Sequence, residues 1–289
     1  MRRRTLLETL AVVLVGILVT SLVHAHSSPT SVDIMAGSSL ISNIIQDVAD
    51  GKLESRTLIP PGVCPGLYDL LKPNDIEAIA NSKALFIHDY QETFQNINGA
   101  IEAAENADLI IMPINVTGNW MVPQVQAEAV GKIAQALGEI DPENTAYYQE
   151  RAAERVRTIL AYGEDVKNTL QEAGLEGVKV ICADMQAGFV EWAGFDVVAT
   201  FGRPEDLGPA QMGELVTEAK EAGVALVIDN LQSSSKTLGA ALEPDIEAIP
   251  VTISNFPGGF EGTGTWEEAI DKNIDLLLGA LGEWYAHYG

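Results

Sequence analysis

Histidine, the commonest side chain for both metal binding and proton transfer near neutral pH, is scarce in this chain. Of four, His24 and His26 stand near the start, His287 stands near the end, and only His88 is internal. The pair His88-Asp89 has the residue types of a general base beside an orienting acid. No serine or cysteine nucleophile is placed beside it by motif, so no triad is read. The stretch from Gly258 to Thr265 is glycine-rich and precedes a helix. It lacks the lysine of a phosphate loop and does not follow a strand directly, which makes it a mobile loop at the edge of a cleft. Asn115-Val116-Thr117 is an N-glycosylation sequon, meaningful where the host carries that machinery and the asparagine is exposed. Two cysteines, Cys64 and Cys182, complete the reactive inventory, and outside a cell they are permitted to pair. No nucleophile, base and metal set converges, which argues against an enzyme.

These residues ride on a chain large enough to bury a sizeable core: 289 residues, 47% hydrophobic and 20% charged. The net charge of -24 gives an acidic surface that repels phosphate backbones and anionic membranes, so nucleic acid is not expected as a partner. Solubility, or a salty medium, is the plain meaning of such charge. Residues 1–25 read as a signal peptide or N-terminal anchor. Arg2, Arg3 and Arg4 precede an apolar stretch from Leu10 to Val23, and Val23-His24-Ala25 offers a small-residue cleavage site. The body of the protein is therefore expected to be extracytoplasmic, in a periplasm or at a cell surface, cleaved free or held by the uncleaved segment. No cysteine follows the apolar run to carry a lipid.

Beyond a Ser/Thr/Pro linker from Ser27 to Thr30, short apolar runs alternate with amphipathic stretches in the manner of parallel βαβ units. Strands are expected at 32–35, 56–59, 84–87 and 109–114, and helices at 40–49, 73–81, 90–104 and 124–137. A much longer helix opens at Asp141-Pro142-Glu143-Asn144 and runs to about 173, with Pro142 at its first turn and Gly174 at its end. A second series follows, with strands at 179–183, 197–200, 225–229 and 247–253, and helices at 188–192, 209–222, 234–241 and 265–283. The expected fold is α/β, two lobes, each a parallel sheet with flanking helices, joined by one long backbone helix. The divisions fall at 26–140, 141–174 and 175–289.

Four stretches of this pattern resemble the metal-type solute-binding proteins of ABC importers, which take up zinc or manganese. Ile59-Pro60-Pro61-Gly62-Val63-Cys64-Pro65-Gly66-Leu67-Tyr68-Asp69-Leu70 is similar to that family's P-P-G-x-D-P-H-x-Y, and Pro73-Asn74-Asp75 follows it. Gly118-Asn119-Trp120-Met121-Val122-Pro123, with Asp141 to Tyr148 beyond it, is similar to H-x-W-x-x-P and D-P-x-N-x-x-x-Y. Pro204 to Leu207, Lys220 to Val224 and Ile228 to Ser234 resemble the second-lobe segments, with Asn230 in place of a glutamate, and Asn273 to Leu281 fits the closing helix. The resemblance spans nearly the whole body and implies an extracytoplasmic, monomeric binding protein with no cofactor, which captures a ligand between its lobes and docks on a membrane permease.

The departures bear on the ligand. The family holds its metal with three histidines and a carboxylate, a set suited to borderline divalent cations. Here the corresponding positions are Gly66, Gly118, the stretch Ala183 to Gln186, and Ser254-Asn255. Two glycines in place of two imidazoles should empty volume and admit something larger, an organic molecule or a metal chelate. Drift with collapse of the cleft is the plain alternative. The expected lining is Tyr68, Asp69, Asn119 and Trp120 from the first lobe, with Asp184, Met185, Asp229 and Asn255 from the second, since each follows or ends a strand. Trp120 is the expected probe of that wall: its truncation should weaken binding about tenfold and leave the fold intact. A soft-metal set, Cys64, Met121, Cys182 and Met185, ranks below this, because Cys and Met are most often simply core. Separate thiols are expected rather than a disulfide, which would restrain lobe closure. Two other classes stay open on the same scaffold: a stand-alone sensor that feeds no permease, and, less favoured, an enzyme.

Overall fold

The computed structural model describes residues 33–203, 206–233, 238–242 and 246–289. The N-terminal segment, the linker, Pro204 and the first half of the helix expected at 234–241 lie outside the described residues. Two four-stranded parallel sheets form the frame. The first runs β2 (Ser55–Thr57), β1 (Ile34–Ala36), β3 (Ala84–His88), β4 (Ile110–Ile114). The second runs β6 (Asp196–Phe201), β5 (Lys179–Ala183), β7 (Leu226–Asn230), β8 (Ile249–Ile253). The helices are α1 (Ser39–Ala49), α2 (Pro73–Ala80), α3 (Gln95–Ala104), α4 (Pro123–Ile140), α5 (Thr145–Glu172), α6 (Ala187–Ala193), α7 (Pro209–Ala222), α8 (Leu238–Leu242) and α9 (Trp266–Tyr288).

The two-residue period of a strand divides the buried side chains between two faces. In β1 and β3, Ile34, Ala36, Ala84 and Phe86 enter a core shared by both lobes, while Met35, Leu85 and Ile87 enter a smaller core on the far face of the sheet. The second sheet repeats this: Val180, Cys182, Leu226 and Ile228 enter the shared core, and Ile181 and Val227 the outer one. The shared core is what couples the lobes.

Along that core runs α5, 28 residues long and so about 42 Å at 1.5 Å per residue. A 3-10 turn, Pro142–Asn144, opens it, and the Asp141 carboxylate accepts from Tyr148 Oη (2.5 Å) and Asn144 Nδ2 (2.8 Å). Arg155 on α5 joins the lobes at one point, pairing with Asp47 of α1 (Nε to Oδ2, 2.7 Å) and with Glu267 at the start of α9. Burial pushes the Asp47 carboxyl up despite Arg155 beside it. A Cβ on Gly163 of α5 would lie 2.5 Å from Pro123 Cγ, so this glycine lets α4 and α5 meet at close range.

One expected helix is broken. Residues 90–104 form a 3-10 turn, Asp89–Thr93, and then α3, because Phe94 between them is extended. The Gln91 side chain fixes the turn: its Oε1 accepts from His88 N (2.9 Å) and its Nε2 donates to Gly37 O (3.1 Å). Helix α4 runs longer than the expected 124–137, and α9 longer than 265–283.

Candidate functional site

The carboxyl ends of both sheets face one cleft, and two adjoining cavities occupy it. The first, about 450 Å3, is lined by His88, Tyr90, Gly118, Asn119, Trp120 and Phe256 among others. The second, about 390 Å3, is lined by Cys64, Tyr90, Phe94, Phe201, Arg203 and Phe256 among others. Tyr90, Asp184, Met185, Asn255 and Phe256 border both. Both volumes are in the range of small-molecule sites.

Aromatic rings form a continuous strip along the first-lobe wall. His88 stacks on Tyr90 with centroids 5.0 Å apart, Trp120 meets His88 edge-on at 4.3 Å, and Phe94 lies 5.7 Å from Tyr90. Phe256 faces His88 from the second lobe at 6.5 Å. His88 is buried, its Nε2 is 2.8 Å from Ser38 Oγ, and burial lowers its pKa to about 3. The imidazole is therefore neutral and offers hydrogen bonding rather than charge.

Asparagines bridge the lobes. Asn119 Nδ2 donates to Met185 O and to Asn255 Oδ1, both at 2.8 Å, while its Oδ1 accepts from Met121 N at 2.8 Å. Asn255 Nδ2 reaches Met185 O at 3.3 Å. Nearby, Gln232 Nε2 donates to Pro61 O (2.7 Å), Ser39 Oγ to Pro257 O (2.7 Å) and Trp266 Nε1 to Trp120 O (2.9 Å). Arg203 Nη2 donates to Cys64 Sγ at 2.9 Å.

Of the eight expected lining residues, Asn119, Trp120, Asp184, Met185 and Asn255 border the first cavity. Tyr68, Asp69 and Asp229 border neither cavity. Tyr68 packs on the outer core of the first sheet with the Lys72 ammonium 4.2 Å from its ring centroid, and Asp69 turns back to accept from Leu71 N (3.0 Å). Asp229 is buried, and its two oxygens accept from Leu238 N (2.8 Å) and Gly239 N (3.0 Å), so it caps α8. Trp120 borders the cavity with an edge only: it is 5% exposed, belongs to the shared core, and donates to Val116 O at 3.2 Å. Trp120 therefore both borders the cavity and packs in the core.

The soft-donor residues divide in the same way. Cys64 and Met185 line the second cavity, whereas Met121 and Cys182 are fully buried in the shared core. Both cysteines are free thiols, and burial pushes that of Cys182 up to about 12. Among the described residues no three His, Cys, Asp or Glu side chains gather in a metal-holding group.

The glycines that stand where imidazoles were expected do different things. A Cβ on Gly66 would lie 3.5 Å from the Phe94 ring, so Phe94 takes up part of the vacated space. Gly118 has φ +111°, a conformation a histidine adopts only under strain, so the backbone itself departs there from one that carries a ligating side chain. Sequence reading missed Tyr90, Phe94, Phe201, Arg203, Gln232 and Phe256. All but Phe94, which follows the 3-10 turn after β3, sit at or just beyond the carboxyl end of a strand, and that rule applied to every strand, rather than to the aligned metal positions alone, finds those.

The sequence model of a family described as the periplasmic component A of the zinc-uptake complex matches residues 34–280. No curated protein matches the chain. Among solved structures, the SBP FpvC from Pseudomonas aeruginosa in complex with Mn2+ is 18% identical, with TM-score 0.72, over 86% of this chain and 98% of that one. The periplasmic zinc binding protein TroA from Treponema pallidum is 16% identical, with TM-score 0.69 and the same two coverages. A Cd-bound periplasmic metal binding protein from Candidatus Liberibacter asiaticus is 15% identical, with TM-score 0.68, again over 86% and 98%. At these identities the likeness is one of fold.

Proposed function

Because the chain belongs to the family of periplasmic zinc-uptake component A proteins, which are binding proteins and not enzymes, we propose that it is the solute-binding component of a metal-type ABC importer whose cleft takes an organic molecule or a metal chelate rather than a bare Zn2+ or Mn2+ ion. One observation carries this reading. The loops that the resemblance aligns with the family's metal ligands present Gly66, Gly118 and Asn255 to the cleft, and the space between them is walled by Tyr90, Phe94 and Phe256. Among the described residues only His88 supplies an imidazole there, and its Nε2 is engaged by Ser38. A divalent ion needs three or four convergent nitrogen, sulfur or carboxylate donors to offset its dehydration. Aromatic walls with a few amides suit a ligand that brings its own apolar surface.

On this reading the N-terminal segment directs export, the lobes at 26–140 and 175–289 capture the ligand, and the loaded protein delivers it to a membrane permease. Among the described residues no helix is long and apolar enough to cross a membrane. Native mass spectrometry with elemental analysis of the protein purified from its own host tests the reading. An organic mass or a chelate bound one to one is the expected result. A single zinc or manganese ion retained without any organic mass overturns it.

A further inference from the structure

The second cavity combines two features that ordinarily exclude one another, apolar walls and a full positive charge. Phe94, Tyr90, Phe201 and Phe256 supply ring faces, and Arg203 enters from the loop after β6. In a chain with 41 acidic and 17 basic residues, a cation placed in an aromatic cleft is against the trend of the whole surface. A guanidinium carries five N–H donors in a planar fork, and that of Arg203 is half-buried, with one donor directed at Cys64 Sγ. None of the ion pairs formed among the described residues involves Arg203. The amides of Asn230, Gln232 and Asn255 border the same cavity.

We infer that Arg203 anchors a carboxylate of the bound ligand, with the ligand's apolar or aromatic body lying against Phe94, Tyr90, Phe201 and Phe256. The inference rests on the proposed reading that the cleft takes an organic ligand, and it names the class: an aryl or alkyl carboxylate. The planar fork matches a carboxylate with two parallel hydrogen bonds, and the apolar walls strengthen them by excluding water. Asp184 borders the cavity too, but it is exposed, so solvent screens its repulsion of an incoming anion. Arg203 of the second lobe already touches Cys64 of the first, so a carboxylate held at Arg203 sits where the two lobes meet.

Calorimetric titration of the protein with 2-naphthoate and with its uncharged isostere 2-naphthamide tests the anchor. The carboxylate is expected to bind at least about tenfold tighter than the amide. Arg203→Gln should bring the two to equal affinity, Arg203→Lys should keep part of the preference, because charge survives without the fork, and Phe94→Ala should weaken both probes alike. Thermal unfolding of each variant separates loss of binding from loss of fold. Equal affinities in the wild type, or a preference that survives Arg203→Gln, overturn the anchor while the organic-ligand reading stands. Binding of neither probe overturns the anchor as well. If Zn2+ then binds one to one with submicromolar affinity, the parent reading fails with it.

Discussion

Lowering the pH from about 7 to about 5 should destabilise the protein through His88 alone by about 2 kcal/mol. The imidazole is buried beneath Tyr90 and Trp120 and shares a hydrogen bond with Ser38, and burial holds its pKa near 3 against the usual 6.5. The folded state therefore binds the proton less readily than the unfolded chain. The contribution of His88 is intact above pH 6.5 and is lost progressively as the pH falls toward 3. In that window the unfolded chain carries one more proton, so stability falls by about 1.4 kcal/mol per pH unit. Integrated from about pH 7, where the unfolded histidine is mostly neutral, to about pH 5, the loss is about 2 kcal/mol. Urea unfolding at a series of pH values, for the wild type and for His88→Asn, isolates the effect, because the carboxylates titrate in both proteins and cancel in the difference. The wild type should show the steeper loss. Ser38→Ala should lower stability at every pH but keep that slope, since burial and not the Ser38 hydroxyl depresses the pKa. Equal slopes for the wild type and His88→Asn would refute the reasoning and place His88 in contact with solvent.

Four further outcomes are expected. Trp120→Ala should cost about 3–5 kcal/mol of stability, as for a buried aromatic in a packed core, and a thermal melt unchanged from wild type would return Trp120 to the cleft wall. Asn119→Ala and Asn255→Ala should be coupled, with a double-mutant cycle in urea giving about 0.5–1 kcal/mol of interaction for the bridging hydrogen bond; additive losses would mean that the bridge is not made in solution. Gly163→Ala should destabilise by about 1–3 kcal/mol, because its Cβ would lie 2.5 Å from Pro123, and a neutral effect on the melt would show that α4 and α5 stand further apart. Of the two thiols, Cys64 should react readily with a chromogenic disulfide in the native protein, while Cys182, fully buried and with its pKa raised by burial, should react only after unfolding; two fast thiols would contradict the placement of Cys182.

The frame of the protein was legible because it is written in periodicity. Ile34 to Ala36, Ala84 to Ile87 and Val224 to Ile228 are continuous apolar runs, and Pro142 and Gly174 bracket the long helix. The break at Phe94 was not legible, since it follows from Gln91 reaching across to Gly37, a contact made only after β1 and β3 pair. The site was half legible. Asn119, Asp184 and Asn255 lie where strand ends had to place them. Asp229, also at a strand end, is consumed by the backbone N–H groups that open α8. Tyr68 and Asp69 share a loop with Cys64 and Gly66, and which side of that loop faces the cleft is decided by Asn96 holding the Pro65 and Tyr68 carbonyls at 2.8 Å. Arg203 stands two residues past the end of β6, a place that the strand-end rule marks but the aligned metal positions do not. Only the fold brings it to Cys64, 139 residues away.

The central claim, that a metal-transport scaffold here holds something other than a bare divalent ion, is tested most directly by titrating Zn2+ and Mn2+ calorimetrically into chelator-treated protein near neutral pH. The account predicts no one-to-one site of submicromolar affinity for either ion. A stoichiometric, submicromolar site that Asp184→Asn abolishes would contradict it and show that the ligand set had been rebuilt around the cleft.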